Sequence, residues 1–124
     1  ATIGATVRSL ERLPGLAEAA RTRLAELDLA ERVEVITGDG SLGDPGHAPH
    51  QRIIVTAGAP RVPSPLAEQL AEGGRLVIPI GASGAQEMVV VTRTDGHLAE
   101  TPVGRCAFVP LIGAAGFDPP DGPV

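Results

Sequence analysis

Ile53-Ile54-Val55 is apolar on both parities of an extended chain, and it runs directly into Thr56-Ala57-Gly58-Ala59-Pro60, a stretch without one long side chain. A strand apolar on both parities is expected where both faces are covered, the situation of parallel sheets flanked by helices. The loop after it has room for a ligand, because small residues expose their backbone N–H and C=O groups. The same composition also suits a plain connecting loop.

The remaining punctuation fits that picture. Residues 6–10 read as a short strand. After Leu13-Pro14, the residues Leu16, Ala20, Leu24 and Leu27 fall at helical offsets with Arg and Glu between them, and Pro14 suits a first turn. Val33-Glu34-Val35-Ile36-Thr37 alternates only in part, as for a strand near a sheet edge. Residues 38–49 hold Gly, Asp, Pro and Ser at a density that predicts a loop. Ser64-Pro65 predicts a helix start with the Ser hydroxyl as N-cap, a helix carrying Leu66 and Leu70, and a stop at Gly73-Gly74. Residues 76–80 and 88–91 predict two more strands and residues 107–109 a last one. The polar turn Thr94-Asp95-Gly96 makes the last strands an antiparallel pair at one edge, and the Gly- and Pro-rich residues 113–124 are expected to fray.

This order is the rhythm of an α/β protein with a mainly parallel sheet. Ligands of such sheets bind where loops leave the carboxyl ends of strands. Those ends are Glu11, Gly38-Asp39-Gly40, residues 56–60 and Ile80-Gly81.

With 124 residues the chain has the size of a single domain. Its only aromatic residues are Phe108 and Phe117, its ten basic side chains are all Arg and scattered, and its net charge is −5. Stacking platforms and clustered cations are therefore both missing, which argues against a nucleic-acid partner. No apolar stretch reaches the length of a membrane span, and the start lacks the pattern of a signal peptide. The single Cys106 cannot form an internal disulfide and suits a reducing compartment, so a cytoplasmic location is expected.

Glu11 follows one strand and precedes a helix. A carboxylate there can accept hydrogen bonds from both hydroxyls of a ribose, or can simply favour the helix start. In Gly38-Asp39-Gly40 the glycines permit a tight turn and close approach to a flat ligand, while Asp39 could accept from an exocyclic amine; an Asp-Gly turn is the plainer reading. Asp44, His47 and His50 lack the thiolates or helical histidine spacing of a metal site, so no metal is expected. Cys106 reads as a small buried hydrophobe. No convincing general base or nucleophile is found. Methyl transfer to an already ionised carboxylate needs none, only alignment and exclusion of water.

The segments Val7-Arg8-Ser9-Leu10-Glu11-Arg12, Gly38-Asp39-Gly40 with Gly43, Ala48-Pro49, residues 52–60 and Val62-Pro63 come first. Glu68-Gln69-Leu70, residues 73–81 and Phe108-Val109-Pro110-Leu111 follow in the same order. Together they resemble the protein-L-isoaspartate O-methyltransferase family over residues 7–116. The resemblance implies a partial Rossmann-like methyltransferase sheet over residues 1–116, and composition makes residues 117–124 a flexible tail. It also implies methyl transfer from S-adenosylmethionine to the free carboxylate of isoaspartyl residues in damaged proteins, as part of a larger parent chain. Glu11 would take the cofactor's ribose hydroxyls, Asp39 its adenine amine and Gly40 a backbone contact to the ring. Thr56 would lie on the cofactor side, Ala57, Gly58, Ala59 and Pro60 would line the way to the substrate, and Val109, Pro110 and Leu111 would hold the substrate peptide. His50-Gln51 stands where the family commonly has Tyr-Asp, at the opening of a strand away from the site.

Before the position of Val7 the family carries a helical region, a first strand and a glycine-rich cofactor loop, and no G-x-G-x-G stands upstream of Glu11. The resemblance therefore implies a carboxyl-terminal part in which the strands ending at Leu10 and Thr56 lack their shared neighbour, and weak cofactor binding by the isolated chain. A remnant acting as a non-catalytic binding module is the alternative. A nicotinamide-dependent oxidoreductase would explain the acid at position 11 but neither the Gly-Asp-Gly loop nor the Phe-Val-Pro-Leu segment.

Overall fold

Strand β1 (Val7–Glu11) is followed by helix α1 (Pro14–Glu26) and strand β2 (Val33–Thr37). Next come two short 3-10 turns (Gly40–Leu42, Pro45–His47), strand β3 (His50–Ile54) and helix α2 (Ser64–Glu68). Strands β4 (Leu70–Ala82), β5 (Ala85–Thr94) and β6 (His97–Cys106) complete the order. The computed structural model describes residues 1–120, so residues 121–124 of the expected tail lie outside the described residues. The chain divides into two compact units, one ending at Gly40 and the other beginning at Ser41.

In the first unit β1 and β2 pair in parallel, Val7 opposite Val33 and Glu11 opposite Thr37. β1 has no other strand partner among the described residues. Pro14 stands in the first turn of α1, where its missing N–H costs nothing. The packed side of α1 is Ala17, Ala20 and Leu24, whereas Leu16 and Leu27, expected on the buried face, are 56% and 61% exposed. From this helix Arg21 reaches β2, its Nη2 donating to the Val35 carbonyl at 2.9 Å and its Nε at 3.2 Å. That guanidinium satisfies a carbonyl which the two-stranded ladder leaves over.

In the second unit the sheet order is β3-β4-β5-β6; β3–β4 is parallel, and β4–β5 and β5–β6 are antiparallel. The architecture is thus α/β with mixed strand directions. The antiparallel part is broader than the single edge pair expected, because residues 83–84 turn β4 straight back into β5. Leu76 lies opposite Val91 and Ile78 opposite Val89, and these pairs form the core with Ala59, Leu66 and Leu70. Cross-strand aliphatic pairs of this kind are the unit of sheet stability. Ile53, Val55 and Leu111 pack against this cluster, but Ile54 is 75% exposed, so β3 is covered on one face and not on both.

Helix α2 also departs from expectation. Pro63, not Ser64, is its N-cap; Ser64 makes no capping bond and the helix ends at Glu68. Leu70 already begins β4, and Gly73-Gly74 lie inside that strand. His50 pairs with Leu70 but Arg52 with Arg75, so β4 carries extra residues at this point, and Gly73 takes the left-handed φ of +75° that the bulge requires. Arg93 of β5 closes the end of α2, donating from Nη2 to Ala67 O at 2.6 Å and from Nε to Leu70 O at 2.8 Å.

The final expected strand, residues 107–109, is not a strand: β6 occupies the preceding ten residues, and Cys106 ends it half-buried. Residues 113–117, expected to fray, close on themselves through Phe117 N–H to Leu111 O at 2.7 Å and Gly113 N–H to Phe117 O at 3.1 Å. The buried Ser41 hydroxyl accepts the Ala115 N–H at 3.0 Å and anchors this turn. No helix among the described residues is long and apolar enough to cross a membrane.

Candidate functional site

In the first unit the chemistry sits where β1 and β2 end side by side. The Gly38 N–H donates to the Glu11 carbonyl at 2.9 Å, which carries the parallel ladder one step beyond Thr37 and delivers Asp39 beside the end of β1. The Glu11 Oε1 accepts the Leu13 N–H at 3.0 Å, and Leu13 is the N-cap of α1. Glu11 thus performs the helix-start role with one oxygen, and the second oxygen is the one a hydroxyl ligand would use. Glu11, Asp39 and Gly40 are all half-buried. Neither Gly38 nor Gly40 adopts a left-handed φ, so the tight turn expected of them is not what places glycine here. A Cβ at Gly38 would meet nothing within 4 Å, so the packing of the chain itself does not require glycine there. The backbone there is open to a flat group.

The second unit builds the small-residue loop by interrupting a ladder. Val55 donates to Val77 O and Ala59 to Pro79 O, both at 2.9 Å. Regular parallel pairing would advance two residues on each side between such bonds, but the β3 side advances four. The cause is Pro79, which has no N–H to give the Val55 carbonyl. Thr56 and Ala57 are therefore pushed out of the sheet, and the chain rejoins it at Ala59, which also accepts the Gly81 N–H at 2.9 Å.

On the other side of the rejoined segment lies the stretch expected to hold substrate. Gly58 donates to Val109 O and accepts from Leu111 N–H, both at 2.7 Å, so Val109-Pro110-Leu111 meets the loop in a single parallel bridge at Gly58 and Pro110. The structure thus brings together Thr56, Ala57, Gly58, Ala59, Pro60, Val109, Pro110 and Leu111. Their presentation differs. Gly58 and Ala59 are buried and Leu111 packs on the core, while Thr56, Pro60 and Val109, the last 71% exposed, face outward with Ala57 and Pro110 between them. The result is an apolar ledge edged by one hydroxyl.

Sequence reasoning passed over Gln86. It is 4% exposed, near the start of β5, and its amide addresses both backbone groups of Phe108: Oε1 accepts the N–H at 2.7 Å and Nε2 donates to the carbonyl at 3.2 Å. Nε2 also donates to Ala82 O at 3.1 Å. Only its place in a strand register facing a crossing segment would have marked it. Gln69 behaves alike at the other loop, donating to Leu42 O at 2.9 Å and accepting the Asp44 N–H at 2.8 Å. The histidines are engaged locally: His47 Nδ1 lies 3.3 Å from Asp44, and His50 Nε2 is 3.0 Å from the Asp44 carbonyl as His50 opens β3.

Residues 2–116 match the sequence profile of the family described as Protein-L-isoaspartate(D-aspartate) O-methyltransferase. A protein-L-isoaspartate O-methyltransferase of Hyperthermus butylicus is 52% identical over 112 residues, covering 90% of this chain and 46% of the relative. One of Methanopyrus kandleri is 48% identical over 116 residues, covering 93% and 51%. The chain spans about half the length of these curated relatives. A solved protein-L-isoaspartate O-methyltransferase superposes with a TM-score of 0.79 at 31% identity, over 90% of this chain and 35% of that one. A Plasmodium falciparum structure described as a beta-aspartate methyltransferase, in complex with S-adenosyl-L-homocysteine, gives 0.71 at 25% identity, over 86% and 52%.

Proposed function

Since the chain belongs to the protein-L-isoaspartate O-methyltransferase family, we propose that the protein carrying it transfers a methyl group from S-adenosylmethionine to the free carboxylate of isoaspartyl residues in damaged proteins. The observation that supports this most directly is that Glu11 ends β1 opposite Thr37, two residues before Asp39, and uses one carboxylate oxygen on the Leu13 N–H. Two acceptors so placed, next to an open backbone at Gly38, fit an adenosine group: Glu11 for the ribose hydroxyls, Asp39 for the exocyclic amine and Gly40 against the ring. The cofactor, when bound, supplies an electrophilic methyl.

The remaining work is positional. An isoaspartyl carboxylate is ionised at neutral pH, so no residue has to remove a proton from it. We assign Thr56 to cofactor binding and Ala57, Gly58, Ala59 and Pro60 to the surface along which the acceptor lies. Val109-Pro110-Leu111 would fix the peptide backbone, with the apolar side chains excluding water around the acceptor oxygen. Gly58 and Ala59 act in this scheme through their backbone and their lack of bulk, because their side-chain positions are buried. The free thiol of Cys106 suits the cytoplasm as the place of reaction.

Incubation of the protein with labelled S-adenosylmethionine and an isoaspartyl peptide tests the reading, with the ordinary aspartyl peptide as comparison. Label is expected in the isoaspartyl peptide alone, in base-labile form. Equal labelling of both peptides, or of neither, refutes it.

A further inference from the structure

Val109-Pro110-Leu111 meets Gly58 without a long strand to set its register. The β6 ladder ends at Cys106, and the bonds that seat these residues on the loop are the pair at Gly58. A bridge that short fixes position weakly, and a slip of one residue would take Leu111 off the core it packs against.

Gln86 supplies the missing constraint. A primary amide presents one acceptor and one donor in a plane, as the edge of a strand does, and Gln86 applies both to Phe108, one residue before Val109. The amide is itself held by Ala82 O and is buried beneath Gly58, where a Cβ would come within 2.6 Å of Nε2. Side chain, loop and crossing segment therefore interlock: Gln86 grips Phe108, Gly58 grips Val109 and Leu111, and Gly58 rests on Gln86. No other side chain among the described residues is shown to hydrogen-bond Phe108.

We propose that Gln86 is a positioning residue that sets how the acceptor peptide is bound, by locking the register of Val109-Pro110-Leu111 against Thr56-Ala57-Gly58-Ala59-Pro60. It touches neither methyl donor nor acceptor. This rests on the assignment of the ledge to the peptide. Its consequence is a division of labour: loss of the Gln86 amide weakens peptide binding and leaves donor binding and the methyl-transfer step unchanged.

The test is steady-state methylation of an isoaspartyl peptide by the protein carrying Gln86→Met, which keeps side-chain length and removes all three bonds. The expected result is a peptide KM raised about tenfold, with kcat and the donor KM within about twofold of the parent. Amide hydrogen exchange should show Phe108 and Leu111 exchanging faster while Leu76 and Val91 keep their protection. An unchanged peptide KM overturns the proposal, and so does a fall in kcat at constant KM or uniformly faster exchange, which would make Gln86 merely structural. Should Gln86→Met not fold, Gln86→Glu keeps the acceptor for the Phe108 N–H but sets an oxygen against the Ala82 and Phe108 carbonyls; a raised peptide KM supports the proposal and an unchanged one overturns it. A parent protein that does not methylate the isoaspartyl peptide refutes the functional reading instead, and the exchange pattern still reports whether Gln86 locks the segment.

Discussion

The amide nitrogen of Gln86 lies 2.6 Å from the point where a Cβ on Gly58 would stand, and its Cδ lies 2.8 Å from it. The glycine is needed here for space and not for its backbone angles, since its φ is not left-handed. Three hydrogen bonds and burial keep the amide from moving aside.

Gly58→Ala should therefore destabilise the protein by about 1–3 kcal/mol, the usual result of forcing a methyl into filled space. In a Gln86→Ala background the same methyl enters the volume the amide has vacated, and the added cost of Gly58→Ala should nearly vanish. Urea unfolding of the four proteins in the cycle reads this coupling directly. Additive losses would show that the two residues do not press on each other.

Glu11 has two tasks that can be separated. Glu11→Gln keeps an acceptor for the Leu13 N–H, so stability should hold within about 0.5 kcal/mol, while S-adenosylhomocysteine affinity measured by calorimetry should fall about tenfold as charge-assisted bonds to the ribose are lost. Glu11→Ala should lose the same affinity and in addition about 1 kcal/mol of stability, the typical value of an N-terminal acceptor. Undiminished affinity in Glu11→Gln would take the ribose role away from this residue.

The elements that sequence made legible are those fixed by local chemistry. Pro14 marked the start of α1, alternating and apolar runs marked β2, β4 and β5, and Asp95-Gly96 marked the β5–β6 turn. The candidate residues at strand ends were found for the same reason, because Glu11 and Gly38-Asp39-Gly40 follow short apolar runs. What stayed hidden depends on distant partners. Leu16 and Ala17 are neighbours on overlapping helix faces, and only the packing shows that Ala17 is the buried one. Gly73-Gly74 has the composition of a helix stop but serves a bulge opposite β3. Pro79 looks like a blemish in a strand, yet its missing N–H is what frees Thr56 and Ala57. The roles of Gln69 and Gln86 stayed hidden because nothing near them in sequence reveals the backbone groups they bind.

Gln69 gives a stability test away from the ledge. Its amide, 7% exposed, accepts the Asp44 N–H and donates to the Leu42 carbonyl. Gln69→Leu fits the volume but leaves both backbone groups facing an apolar side chain, so about 2–4 kcal/mol should be lost in urea unfolding. S-adenosylhomocysteine affinity should not change. Loss of affinity parallel to loss of stability would tie this loop to the cofactor site.

Arg93 sets a sharper test, because its role depends on shape as well as charge. Helix α2 is five residues long and leaves its last carbonyls without intrahelical donors. The guanidinium of Arg93 reaches Ala67 O with Nη2 and Leu70 O with Nε, so one planar group serves both the helix end and the first residue of β4. A lysine would bring the same positive charge to the helix carboxyl end but from a single nitrogen, which cannot make two divergent bonds in that geometry. Arg93→Lys should then cost about 1–2 kcal/mol and Arg93→Met about 2–3 kcal/mol, the difference being the charge at the helix terminus. Thermal unfolding ranks the three proteins. If Arg93→Lys matched the parent, charge alone would explain the contact and the forked bonding would contribute nothing; if Arg93→Met matched Arg93→Lys, the forked bonding would account for all of it.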